Sequence, residues 1–128
     1  MNDNRLSIEV ITALAGEARL ALRGDIDIAA DDILSTAYAD ATSAGATRIL
    51  LDFGGVDYIN STGIALIVRL LAEARRDHRE VVALGLSDHY REIFRITRLS
   101  DYLTIADSPP PPDTIQPTTS SIPEEAAR

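Results

Sequence analysis

The sequence contains no cysteine, no lysine and no tryptophan, and its first 108 residues contain no proline. Without cysteine there is no disulfide framework, no thiol chemistry and no cysteine metal site. No stretch approaches the 18 or so uninterrupted apolar residues of a membrane-spanning helix. The start, Met1-Asn2-Asp3-Asn4-Arg5, lacks the basic-then-apolar pattern of a secretory signal. These absences predict a cytoplasmic protein with no membrane insertion. Positive charge is also scarce: the formal net charge is −8. An acidic chain of this size is a poor binder of phosphate backbones, which argues against direct contact with nucleic acid or anionic membranes.

The proline that is missing from the body is concentrated at the end. All six prolines follow Ser108, and all seven glycines precede it. The division predicts one folded domain over residues 1–106 and a disordered, Pro-rich acidic tail over 107–128. The body has the size of an ordinary domain and is long enough to bury a core. The tail has too little apolar content to order itself. Pro109 to Pro112 would form a stiff polyproline spacer of roughly 12 Å.

Period-two alternation marks strands at Leu6–Ile11 and Ala18–Leu22, joined by a turn at Leu14-Ala15-Gly16-Glu17. Gly24-Asp25-Ile26-Asp27 breaks that pattern. Helical spacing follows over residues 29–43, with Gly45 as its stop. Arg48–Phe53 is short and almost continuously apolar, as a central strand covered on both faces would be, and Gly54-Gly55 reads as a loop. A second helix spans about 61–76, a strand 81–86, a third helix 88–97 and a last short strand 102–106. This order predicts an α/β fold: a mixed sheet of four to five strands with helices packed mainly on one face.

The most informative segment is Asp52-Phe-Gly-Gly-Val-Asp-Tyr-Ile-Asn-Ser-Thr-Gly-Ile-Ala-Leu-Ile67. Asn60, Ser61 and Thr62 are good helix N-cap types directly before an apolar helix. Gly63 costs about 1 kcal/mol relative to alanine in a helix, so it marks either a close approach or crowding under the loop. Two hydroxyls thus stand at the positive end of a helix, which suits an anion, including a phosphate on one of those hydroxyls. A plain helix cap is the commonest use of such a triplet. At 100° per residue Ile64, Ile67, Val68 and Leu71 form the core side, and Leu66 falls beside the polar group of Arg69 and Glu73. An exposed Leu66 is either ordinary or an anchor for a partner.

Residues 52–67 resemble the signature of STAS domains, specifically the stand-alone anti-sigma-factor antagonists of bacteria: a strand ending in Asp, a short loop, then Asp-Ser-Ser/Thr-Gly-Leu/Ile at a helix start. Gly24-Asp25-Ile26-Asp27 is similar to that family's Gly-Glu-Leu-Asp segment, and the element order agrees along residues 5–106. The resemblance implies a single STAS domain and a regulatory module rather than an enzyme. When unphosphorylated it would bind an anti-sigma factor that is also a serine kinase with a histidine-kinase-like ATPase fold. It would release that partner when phosphorylated, and a serine phosphatase would reverse the switch. The acceptor falls on Ser61, with Asp25, Asp27, Asn60, Thr62, Gly63 and Leu66 as the partner-binding set. Asn60 stands where the family has Asp, which keeps the cap but removes a charge and implies a poorer kinase substrate. The alternative on the same fold is an accessory subunit of a transport complex, such as a lipid ABC transporter, without phospho-switching.

Other constellations are weak. His78 and His89 have no metal-ligand spacing with each other or with cysteine. Asp52 and Asp57 suggest loop caps rather than paired catalytic carboxylates. Gly54-Gly55 lacks the Lys-Ser/Thr of a phosphate-cradling loop. Thr118, Thr119, Ser120 and Ser121 read as passive solvated chain. Neither a cofactor nor a metal is predicted.

Overall fold

The alternating N-terminal run forms β1 (Ser7–Ala13), paired antiparallel with β2 (Glu17–Ile26) in the register Val10 to Leu20. The computed structural model describes residues 4–13 and 16–106. Leu14 and Ala15 of the predicted turn, and the whole predicted tail 107–128, lie outside the described residues. A single 3-10 turn (Ile28–Ala30) leads into α1 (Asp31–Ser43), followed by β3 (Arg48–Ile59), α2 (Ser61–Arg76), β4 (Glu80–Leu84), α3 (Asp88–Ile96) and β5 (Thr104–Ile105). The sheet has five strands in the order β1-β2-β3-β4-β5, and every pair after the first is parallel. Parallel neighbours need a crossover, and each helix supplies one. The predicted α/β class and mixed sheet are what the molecule shows.

Strand periodicity places the core. Ile49, Leu51 and Phe53 of β3 join Leu20 and Ile26 of β2, Ile67 of α2 and Phe94 of α3 in one cluster that also holds the buried face of α1. Phe53 and Phe94 meet edge to face with centroids 5.7 Å apart, a geometry favoured by the ring quadrupole. Leu50, Val82 and Leu84 have the opposite parity and form a second, small cluster with Ala106.

Two departures from the sequence expectation matter for the site. First, β3 does not stop at Phe53. It runs through the predicted Gly54-Gly55 loop to Ile59, and β2 runs through Gly24-Asp25 to Ile26. The pairing survives because β3 carries extra residues at two register shifts, between Ala21 and Arg23 and between Gly24 and Asp25 of β2. Asp52 stabilises the first: its Oδ1 accepts from the Gly54 N–H at 2.9 Å and its Oδ2 from Arg19 at 3.0 Å. Gly55 is required there, because a Cβ would come 2.9 Å from the Leu22 carbonyl oxygen. Second, the outward side of α2 differs from the arc drawn at 100° per residue: Val68, placed on the core side, is 44% exposed.

Tyr38 of α1 is buried, and its hydroxyl donates to Asp77 Oδ2 at 2.8 Å, just beyond the end of α2. Burial first, then the hydrogen bond to Asp77 and that residue's charge, push the Tyr38 pKa from 10.0 up to about 12. The folded state therefore keeps the phenol proton where the unfolded chain loses it. The contribution is fully present below pH 10 and is lost as pH rises towards 12. Denaturant titrations between these limits should show the wild type losing stability more steeply than Tyr38→Phe, which lacks the ionising group. Parallel curves would show that Tyr38 is not protected.

Candidate functional site

The site forms where β2, β3 and α2 converge. Ile26 pairs with Ile59 at the ends of the two strands, and the Asn60 N–H donates to the Ile26 carbonyl at 3.2 Å. Asn60 then turns the chain with extended backbone angles, and its Oδ1 accepts from the Gly63 N–H at 2.8 Å. This is the N-cap that the Asn-Ser-Thr triplet predicted. Gly63 is buried directly against β2. A Cβ there would lie 2.8 Å from the Ile26 carbonyl carbon and closer still to its oxygen, with Ile59 Cγ2 at 3.0 Å. The close approach that glycine permits is thus made by the protein's own backbone.

This seating presents Ser61 at the first position of α2, exposed, with its hydroxyl unbonded to any described residue. Thr62 is half-buried beside it. The first turn of α2 contains no acidic side chain, so the positive end of the helix dipole is not offset within the helix. The neighbouring segment carries Asp27, whose carboxylate accepts from the Ala29 N–H at 3.0 Å and caps the 3-10 turn. Asp27 directly follows Ile26, and Ser61 directly follows the residue bonded to Ile26, so the topology brings the two predicted motifs together.

Asp25 belongs to the same edge but is held differently. It pairs with Tyr58 across the strands, and its Oδ1 accepts from Asn4 Nδ2 at 2.9 Å. The same Asn4 amide reaches Asp57 Oδ2 at 2.9 Å, drawing two carboxylates together. Asp57 lies within β3 rather than in a loop. Asn4 and Tyr90 were missed by sequence reasoning. The Tyr90 hydroxyl accepts from the Ile59 N–H at 2.9 Å, satisfying β3 beyond the end of its pairing with β4. Neither role has a sequence signal, because both partners are backbone or distant side chains. Ile28, 66% exposed beside Asp27, was likewise not singled out.

Leu66 corrects an expectation. It is 7% exposed and belongs to the core, while Val68, assigned to the core side, is 44% exposed. The reason is α1, which packs beside α2 on the sheet. Leu66 and Leu70 line the seam with Leu34 and Tyr38, closed by an ion pair between Arg69 and Asp31. The buried arc of α2 is turned towards α1 relative to the one drawn from a single helix. Leu66 is therefore not an exposed anchor. Among the described residues no group of three or more His, Cys, Asp or Glu could hold a metal ion, and no helix is long and apolar enough to cross a membrane.

Residues 11–105 match the family described as Mlab, STAS domain. The chain belongs to the STAS domain family. It is 30% identical over 87 residues to BtrV of Bordetella bronchiseptica, named as a candidate anti-sigma factor antagonist, covering 68% of this chain and 75% of that protein. It is 28% identical over 82 residues to the anti-sigma-B factor antagonist of Staphylococcus aureus, covering 64% and 76%. Among solved structures it is similar to the anti-sigma factor antagonist SpoIIAA. The unphosphorylated form matches with a TM-score of 0.65 at 16% identity, covering 80% of this chain and 90% of that one. The phosphorylated Bacillus form matches with a TM-score of 0.62 at 18% identity, covering 79% and 92%. These structural likenesses establish the STAS fold.

Gly63→Ala should be strongly destabilising. Helix propensity would favour alanine by about 1 kcal/mol, but the clash with the Ile26 carbonyl is with backbone and outweighs it, for a net loss of about 2–3 kcal/mol. Asn60→Ala should cost about 1 kcal/mol through loss of the cap, and Asn60→Asp very little. Chemical denaturation of the three variants checks the order. A Gly63→Ala protein as stable as wild type would mean that β2 and α2 are not in close contact.

Proposed function

We propose that this protein is an anti-sigma-factor antagonist whose binding surface surrounds Ser61. Unphosphorylated, it binds an anti-sigma factor that is also a serine kinase with a histidine-kinase-like ATPase fold. Phosphorylated on Ser61, it releases that partner, so the cycle controls sigma-factor-dependent transcription in the cytoplasm. A serine phosphatase restores the binding form. The protein acts as a binding module and not as an enzyme. The observation that carries this reading is the exposed, unbonded Ser61 hydroxyl at the start of α2, on a backbone held rigidly from beneath by Asn60 and Gly63. The names of the BtrV, Staphylococcus and SpoIIAA relatives support it.

The switch has a simple physical basis. A phosphate adds a charge of about −1.5 to −2. At a helix N-terminus that charge is stabilised by the dipole and by free N–H groups, so the fold survives. The surface changes far more than the interior. Asp27 directly follows Ile26, whose carbonyl accepts from the Asn60 N–H before Ser61, and Asp25 and Asp57 lie along the same strand ends. A partner covering this edge would have to desolvate a concentrated negative patch. A tenfold loss of affinity needs only about 1.4 kcal/mol. Asp27, Asn60, Thr62 and Ile28 are the residues such a partner would touch, with Gly63 and Leu66 acting from beneath by seating the helix and Asp25 at the periphery. Asn60 caps α2 as Asp would but brings no charge to the acceptor, which makes this chain a slower kinase substrate than its Asn60→Asp variant.

Pull-down of partners with wild type, Ser61→Ala and Ser61→Asp proteins tests the reading. The alanine form should retain a kinase-type partner, and the aspartate form should bind it at least about tenfold more weakly. Equal retention of a kinase by all three would exclude a phospho-switch at Ser61. Equal retention of a transporter ATPase would instead identify an accessory subunit of a transport complex.

A further inference from the structure

A cleft lies away from Ser61, towards the C-terminal half of α2. It has a volume of about 600 Å³, and Val68, Leu71, Leu99 and Tyr102 give it an apolar floor. Arg75 and Arg76 stand on its wall. Arg75 lies over the Tyr102 ring, 5.2 Å from its centroid. Both Val68 and Tyr102 are exposed, at 44% and 53%. Six of the twelve arginines find carboxylates among the described residues: Arg19, Arg48, Arg69, Arg79, Arg95 and Arg98. Among the described residues no carboxylate pairs with Arg75 or Arg76. An apolar floor beside two guanidiniums that form no ion pair with a described residue is complementary to an aliphatic side chain followed by two carboxylates.

The chain carries such a segment itself. Ile122-Pro123-Glu124-Glu125 offers one aliphatic residue, a turn-restricting proline and adjacent acids. We propose that this segment docks in cis on the cleft, with Ile122 on the floor between Val68 and Tyr102 and Glu124 and Glu125 on Arg75 and Arg76. The tether permits it. Tyr102 lies four residues before Ala106, where the described chain ends. Between Ala106 and Glu124 the four consecutive prolines would span roughly 12 Å as polyproline and the remaining 14 residues roughly 19–22 Å as a coil, enough to return to a cleft lined by Tyr102. A linker of this length gives an effective concentration of about millimolar. A contact too weak to matter between separate molecules is then substantially occupied. Docking would cover the outward side of α2, the helix that begins at Ser61, and would give the tail a task beyond the passive solvation its composition predicts.

The absence of native cysteine allows a single spin label at Ser120→Cys on the otherwise intact full-length chain. In low salt the label should weaken the amide resonances of Val68, Thr97 and Tyr102 by about half or more, the occupancy that a millimolar effective concentration gives a millimolar contact. Glu124→Gln with Glu125→Gln, or Arg75→Gln with Arg76→Gln, should each restore most of that signal, as should high salt. Three results would overturn the proposal: uniform weak broadening over the whole surface, broadening centred on another face, or broadening that persists in both charge variants. Mixing labelled chain with unlabelled isotope-enriched chain separates the remaining occupant. Broadening seen equally in the mixture would assign the cleft to a second copy instead.

Discussion

The contact between Gly63 and the Ile26 carbonyl organises the end of the molecule that carries Ser61. It seats the first turn of α2 directly on the last residue of β2, with the Asn60 N–H bonded to that same carbonyl oxygen. Because a backbone atom is the neighbour, no rotamer change can make room for a side chain. The positions of Ser61 and Thr62 on one element and of Asp27 on the other are therefore coupled through a single point. The strands contribute by running long: β2 and β3 stay paired as far as Ile26 and Ile59, so the two segments arrive together instead of diverging into separate loops.

Around that point the polar groups divide their work. Asn60 satisfies the helix N-terminus, Asp27 satisfies the 3-10 turn, Asp52 satisfies the bulge in β3, and the Tyr90 hydroxyl satisfies the Ile59 N–H. Each would otherwise leave a backbone group unpaired, at a cost comparable to a lost hydrogen bond. Ser61 is the exception. Its hydroxyl has no structural duty to a described residue, and that leaves it available for chemistry. The electrostatic setting is poised between two influences. The helix dipole favours an anion at Ser61, and the acids at the neighbouring strand ends oppose a further increase in negative charge over the surface. An anion at Ser61 is thus tolerated by the fold and felt by whatever lies against it.

The distribution of arginine on α2 separates its two ends. Midway along the helix Arg69 pairs with Asp31 of α1 across the seam between the two helices. Near the C-terminus Arg75 and Arg76 favour the negative end of the dipole and line a cleft, with no ion pair to a carboxylate among the described residues. One helix thereby presents a hydroxyl at its positive end and cations beside an apolar recess at its other end.

The alternation in β1 and β2, the continuous apolar run of β3, the helical spacing of α2 and the Asn-Ser-Thr-Gly junction were all legible in the sequence, because each is a local pattern of side-chain period or capping chemistry. They were sufficient for the α/β class, the mixed sheet and two hydroxyls at the start of α2; the choice of Ser61 between them came from the family resemblance. The continuation of β3 through Gly54-Gly55 was not legible, since glycines that read as a loop are compatible with a bulge only when Asp52 and a neighbouring strand supply the bonds. Nor was the burial of Leu66 and exposure of Val68: a helical wheel gives the width of an apolar arc, but α1 decides which way it turns. Asn4 and Tyr90 gain their roles only from partners dozens of residues away. Local sequence thus determined which elements form and where the hydroxyls sit. Only the packing of β2, α1 and α3 around them decided which side chains face solvent, because burial is a property of neighbours and not of the residue alone.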